Sequence, residues 1–298
     1  MSDPRKLVTG AAPQGATDAT SAAHAVREMF TSIAPRYDLL NHVLSCNVDR
    51  VWWRRTARTF DDILSRSEAR VLDLCCGTGD MTFALRRQVE ESSPRSSPQS
   101  RPLARPWRAR VPAPHNLTSP QILGADFSHA MLQRALSKSS GNSQNNSSTN
   151  NSSPGKPSPN GKPAMPTWIE ADALSLPFPS QHFDLVTSAF GFRNLADYDA
   201  GLREIVRVLR PGGECGILDF GEPKGIMGQL YRIYFKQILP RVGTMISGVR
   251  GPYAYLPASV ERFPEPDEML IRMRQAGFTE ASWTPYTFGI AGLYRGRK

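Results

Sequence analysis

Asp73, the turn Gly77-Thr78-Gly79 and Asp126 are of types and at spacings that suit them to holding a nucleoside. Two glycines one residue apart let a backbone turn sharply and approach a ligand closely. A carboxylate placed after the next apolar run, as Asp126 is, can accept from both hydroxyls of a ribose and so orient it. The Gly-x-Gly-x-x-Gly spacing of dinucleotide sites is absent. So is its third glycine, which packs helix on strand, and NAD is therefore not expected. A shortened turn with Asp73 ahead of it suits a nucleoside ligand without a pyrophosphate, and S-adenosylmethionine is such a ligand. Metal chemistry has less support. Cys46, Cys75, Cys76 and Cys215 form no C-x-x-C pair, and the five histidines never pair with cysteine at ligand spacing. The cysteines read as small buried hydrophobes of a reducing cytoplasm.

These residues need a strand–turn–helix frame. Val71–Leu74 is a short apolar run, as in a buried strand, and Met81–Arg87 reads as a helix. Gln121–Phe127 is the next strand, with Ser128 as an N-cap before Met131, Leu132 and Ala135. Gly79 and Asp126 are 47 residues apart, against about 20 in an ordinary crossover. A Ser/Pro/Arg-rich insertion at 88–119 accounts for the excess. A second insert, 137–166, is rich in Asn and Ser and cannot bury enough apolar surface to fold alone. Further strands are expected at Trp168–Ala173, Phe183–Phe190 and Glu214–Phe220. A helix over Tyr198–Leu209 stops at Arg210-Pro211-Gly212-Gly213. Helices are also expected at Ile226–Leu239 and Phe263–Gly277. The chain closes with an antiparallel pair, Phe278–Thr287 and Gly289–Tyr294. Alternating strands and helices make this an α/β protein with a mostly parallel, doubly wound sheet. Residues 1–23 read as a disordered tail, leaving 24–298 as a single domain.

The net charge of +9 on 298 residues raises nucleic-acid binding. Its location argues otherwise. Arg86–His115 carries +5 and Ser137–Pro166 carries +3, so the remainder is near neutral and the basicity belongs to the inserts. The arginines of residues 90–118 suit a solvated loop or peripheral contact with anionic lipid, and the loop is the simpler reading. No run of about 18 apolar residues marks a transmembrane helix. The first 25 residues lack an apolar signal core, and their charge is too balanced for a transit peptide. A cytoplasmic enzyme, at most peripheral to the membrane, is expected.

In residues 24–60, Val26, Met29, Phe30, Ile33 and Ala34 recur at helical spacing until Pro35. Aromatics among polar groups here suit a lid over a pocket, or an amphipathic helix on the sheet. With this segment, the chain resembles the C-methyltransferases of menaquinone and ubiquinone biosynthesis. The resemblance rests on Phe30–Asp38 with Asn41 and Ser45, on Trp52-Trp53-Arg54, on the glycine turn and on Asp126-Phe127-Ser128. It continues through Ala171-Asp172-Ala173, Phe190-Gly191-Phe192-Arg193-Asn194, Tyr253–Pro257 and Gly289-Ile290-Ala291. It implies a Rossmann-like class I methyltransferase fold and S-adenosyl-L-methionine as cofactor. It places Thr78, Asp126, Asp172 and Ala173 at the cofactor, with Thr78 near the methionine moiety, Asp126 at the ribose and Asp172 at the adenine amino group. Gly77, Gly79 and Asp73 are expected, from the turn itself, to bind the cofactor as well.

The substrate implied is a polyprenyl quinol. A quinol hydroxyl that loses its proton pushes electron density onto the ring, and an unsubstituted carbon then attacks the methyl in line. Arg193, Asn194 and Tyr37 are the residues expected at the ring. Arg193 would stabilise a phenolate, or else pair with an acid. The helix with Tyr231, Tyr234 and Phe235 and the Tyr253–Leu256 loop are expected to receive the prenyl tail. Demethylmenaquinol is favoured over the methoxy-benzoquinol because no transit peptide is seen. A nucleic-acid methyltransferase is disfavoured: no Asn-Pro-Pro-Tyr-like or Pro-Cys site is present.

Overall fold

The computed structural model describes residues 10–11, 13, 16–34, 47–92, 119–144, 165–221, 223, 228 and 252–298. Tyr37, Asn41 and Ser45 lie outside the described residues, as do most of both inserts and nearly all of 224–251, which includes Tyr231, Tyr234 and Phe235.

The chain begins with α1 (Ala19–Ile33). Asp18 caps it by accepting from the Ser21 backbone N–H at 2.8 Å, while the Ser21 hydroxyl accepts from the Asp18 N–H. This reciprocal cap starts the helix ahead of residue 24, because it satisfies two otherwise orphaned donors. Upstream, the Ala11 N–H donates to the Leu195 carbonyl at 2.7 Å. Part of the segment expected as tail is therefore tied to the domain.

Next come α2 (Val48–Thr59), β1 (Arg70–Leu74), α3 (Asp80–Ser92), β2 (Gln121–Asp126) and α4 (His129–Gln144). Both helices reach into the segments read as inserts, α3 to Ser92 and α4 to Gln144. Composition hid this, since Ser and Asn are disfavoured in helices only weakly. Then follow β3 (Thr167–Glu170), β4 (Phe183–Ala189), α5 (Tyr198–Val208), β5 (Leu209–Phe220), α6 (Pro252–Arg262), α7 (Pro266–Ala276), β6 (Glu280–Tyr286) and β7 (Ala291–Arg297). Leu209 already pairs with Phe183, and the register slips across Arg210–Gly213 before Glu214 pairs with Leu185.

The strands form one seven-stranded sheet in the order β3-β2-β1-β4-β5-β7-β6. β1 to β5 run parallel, while β7 is antiparallel to both β5 and β6. Neighbouring side chains alternate between two cores, as a pleat of period two requires. Val71, Leu185 and Leu218 pack on one face with Trp52, Phe60 and Leu85. Leu72, Val186 and Ile217 pack on the other with Phe192, Leu202 and Ile205. Burial on both faces explains why these strands read as continuous apolar runs. The strand order reverses between β1 and β4, so the crevice at their carboxyl ends is where such a sheet binds ligand. Among the described residues no helix is long and apolar enough to cross a membrane.

Candidate active site

A cleft opens at that reversal point. With the open solvent at its mouth it holds about 970 Å³, the size range of small-molecule and cofactor sites. Two non-glycine residues with positive φ stand at its base, Cys75 after β1 (φ 54) and Phe190 after β4 (φ 58). Both line the cleft. Such conformations persist only where the surroundings hold them, and they cluster at functional sites. Gly191 is required beside them: a Cβ there would stand 2.4 Å from the Cys75 Cβ.

The turn after β1 is fastened to the end of β2. The Gly77 N–H donates to Asp126 Oδ2 at 2.8 Å, and the Ser128 N–H donates to Oδ1 at 2.9 Å. Each oxygen keeps a further lone pair, and Asp126 lines the cleft. Burial raises its pKa to about 6, against the pull of those two amides and of Arg27. Asp73 lies beneath, fully buried, and accepts from Thr82 Oγ1 at 2.5 Å and Thr187 Oγ1 at 2.8 Å. Burial raises its pKa to about 7 despite the two hydroxyls. Gly77 lines the cleft but Gly79 does not. The φ of +88 at Gly79 and a would-be Cβ 2.5 Å from the Trp168 ring make it a turn and packing residue.

Thr78, Asp172 and Ala173 line the cleft as well. Asp172 also accepts from the Leu174 N–H at 2.9 Å, a local turn that fixes its carboxylate. Asp80, at the start of α3, joins Asp73, Asp126 and Asp172, and among the described residues none that lines the cleft is basic. This set of carboxylates favours a cation.

Sequence reasoning missed Lys138, which it had assigned to the second insert. Its ammonium donates to Thr78 Oγ1 at 2.8 Å and to Asp80 Oδ1 at 3.0 Å. Lys138 follows the cleft-lining Met131 by seven residues, two turns along one face of α4. That spacing was visible in the sequence but was masked by the composition around it.

Much of the remaining lining is apolar and aromatic: Phe30 from α1, Trp53 from α2, Phe190 and Leu195, with Asn194 as a polar group. The Asn194 Oδ1 accepts from the Tyr255 hydroxyl at 3.1 Å, and its Nδ2 donates to the Phe190 carbonyl at 3.4 Å. Burial raises the Tyr255 pKa to about 12, so it stays a neutral donor. Tyr255 was expected at the prenyl tail; here it orients Asn194.

Arg193 is not brought to the cleft. Its guanidinium is only 6% exposed and pairs with Asp219 at 2.8 Å. It also donates to the Phe190 carbonyl and stacks over the Phe220 ring at 5.1 Å. The Arg193 N–H donates to Asp219 as well, at 3.1 Å. The expected phenolate contact is thereby corrected. The 3₁₀ turn Phe192–Asn194 directs consecutive side chains oppositely, Asn194 into the cleft and Arg193 into the domain.

Comparison with known proteins gives the family. The family model described as the ubiE/COQ5 methyltransferase family matches residues 17–298. A demethylmenaquinone methyltransferase of Deinococcus radiodurans is 40% identical, covering 92% of each chain. One of Thermus thermophilus is 39% identical over 90% of this chain and 99% of its own. A ubiquinone/menaquinone biosynthesis C-methyltransferase of Geobacter sulfurreducens is 35% identical over 92% and 88%. Among solved structures, the [4+2]-cyclase SpnF has a TM-score of 0.56 at 16% identity, covering 93% of this chain and 96% of its own. A SAM-dependent methyltransferase of Thermotoga maritima has 0.53 at 14%, covering 92% and 99%. These two share the fold. With a matching model across almost its whole length, the chain belongs to the ubiE/COQ5 methyltransferase family.

Proposed function

We propose that the enzyme methylates a ring carbon of demethylmenaquinol, using S-adenosylmethionine, in menaquinone biosynthesis. The observation that carries this reading is the polarity of one cleft. Four carboxylates and a glycine turn line it together with an aromatic group, Phe30, Trp53 and Phe190, and Asn194. The carboxylates fit a cofactor with a sulfonium and an ammonium group, and the flat aromatic side chains fit a quinol ring.

When bound, S-adenosylmethionine supplies an electrophilic methyl group. The chain does the rest by placement. Asp126 retains lone pairs for the ribose hydroxyls, and Asp172 faces the cleft from the adenine side. Thr78, held by Lys138, shapes the methionine end. Phe30, Trp53 and Phe190 exclude water and hold the ring at attack distance. The Asn194 Nδ2 has a second N–H available to the quinol oxygen, where charge develops as the hydroxyl ionises. Tyr37 remains a candidate for the same end.

The test is methyl transfer to short-tail demethylmenaquinol and to its methoxy-benzoquinol counterpart, under reducing conditions, with the product carbon located by NMR. Faster turnover of the naphthoquinol is expected. Faster turnover of the benzoquinol would place the enzyme in ubiquinone biosynthesis, and C-methylation of neither would overturn the reading.

Two further outcomes follow from the carboxylates and from Lys138. A cationic cofactor favours ionised Asp126 and Asp73, so its affinity is expected to rise with pH through about 6 to 7 and then level off. The free protein behaves oppositely. Both folded pKa values are raised above the unfolded value of about 3.9, so the stability they contribute is full below pH ~4 and is lost as pH rises through about 6 to 7. Calorimetric titration from acid to neutral pH, repeated with Asp126→Asn, checks the first part: the substitution should flatten the profile. Lys138→Ala is expected to weaken the cofactor about fivefold, the scale of one partly exposed charged hydrogen bond. Lys138→Arg should restore part of this, and an unchanged dissociation constant would rule the contact out.

A further inference from the structure

The outer face of α2 and the turn before β7 form a surface that neither core covers. Val51 is 58% exposed and Phe288 is 78% exposed, two of the four large hydrophobic residues described as exposed. The two elements are joined: the Trp52 Nε1 donates to Thr287 Oγ1 at 2.8 Å, and the Arg55 guanidinium stacks over Tyr286 at 4.2 Å. Val51 and Phe288 are each the next residue from that Trp52–Thr287 bond. Phe288 is held outward with φ 58 and its neighbour Thr287 has φ 45. A bulky aromatic kept in a disfavoured backbone region and in water calls for an occupant.

The exposed charge on α2 itself is of one sign. Val51, Arg54, Arg55 and Arg58 fall at i, i+3, i+4 and i+7 on α2, with Arg50 beside them, and all are exposed. The one acid of this helix, Asp49, is buried. Arg58 approaches Glu91 only at 3.8 Å, with both side chains more than half exposed, a pair of little strength. Exposed apolar residues rimmed by arginine suit an anionic bilayer: rings and aliphatic groups enter the headgroup boundary while guanidinium groups meet lipid phosphate. The inner face of the same helix supplies Trp53 to the cleft, and Trp52 packs on Phe190.

We infer that Val51, Phe288 and the arginines of α2 dock the enzyme on an anionic membrane surface. The cleft then lies one helix diameter, about 10 Å, from the bilayer. This rests on the reading that the substrate is a lipid quinol, because a lipid-embedded substrate is reached only from that surface. It assigns a role to residues outside the catalytic cleft and assigns none to the inserts.

The test is co-sedimentation of the full chain with vesicles of phosphatidylcholine, alone or mixed with phosphatidylglycerol, without substrate. Binding is expected only to the mixed vesicles and should weaken with added salt. Arg54→Gln and Arg58→Gln should each weaken it about fivefold, and Phe288→Ser about tenfold. Turnover of a short-tail, water-soluble quinol reports whether each variant is folded and should be unchanged. Loss of that turnover in the wild type would remove the quinol reading and leave the vesicle result standing. Equal binding to both vesicle types, or variants that bind as wild type, would overturn the docking surface. So would a dimer in sedimentation that the same variants dissociate, which would give the face to a second copy of the chain.

Discussion

Arg193→Ala is expected to lower stability by about 3–5 kcal/mol, because it leaves one charge of a buried pair uncompensated. The partner, Asp219, is fully buried, and the Arg193 and Phe220 N–H groups remain as its donors. Asp219→Ala should cost a similar amount, since it strands the guanidinium. The double change Arg193→Met/Asp219→Leu should cost clearly less than either alone, because no charge is then left buried. Urea denaturation of the four proteins measures this. The guanidinium also donates to the carbonyl of Phe190, which lines the cleft with positive φ. Cofactor affinity and turnover should therefore fall together in Arg193→Ala. A variant as stable as wild type that had lost turnover alone would return Arg193 to the reacting ring.

Arg193 also shows where the sequence stopped being informative. The Phe-Gly-Phe-Arg-Asn block signalled a polar site, but one dimension does not say which of two adjacent side chains faces a cleft. A 3₁₀ turn decides it, and short turns leave little periodicity to read. The strands were legible for the opposite reason. A sheet buried on both faces forces unbroken apolar runs, so β1, β2, β4 and β5 stood out with their order of occurrence. Asp126 was legible once the crossover insert had been subtracted, since it ends such a run. Gly79 was read as a ligand contact because glycine serves close approach of any kind, and here the approaching group is the Trp168 ring. Lys138 was hidden by its neighbours: serine and asparagine suggested a loop, while α4 continued through them. The N-terminal boundary failed similarly, because Asp18 and Ser21 read as tail composition but act as a cap.

Asn194→Ala is expected to reduce turnover about 10²–10³-fold, the range found for removing one preorganised donor from a developing oxyanion. Cofactor affinity should change little, because the bonds of Asn194 run to Phe190 and Tyr255 and not to the carboxylates or the glycine turn. The Tyr255 hydroxyl fixes which way the amide points, with Oδ1 toward the phenol and Nδ2 toward Phe190 and the cleft. Tyr255→Phe removes that constraint but keeps the amide, so a smaller loss, about tenfold, is expected, and the double variant should be no worse than Asn194→Ala alone. That non-additivity is the mark of one residue acting through another. Quinols with electron-withdrawing substituents ionise more readily and need less help at oxygen. They should recover part of the rate in Asn194→Ala and change little in the wild type. If the loss instead appears in the cofactor dissociation constant, or is the same for every quinol, Asn194 is a wall residue and the oxygen is held elsewhere. Tyr37 would then be the next residue to test.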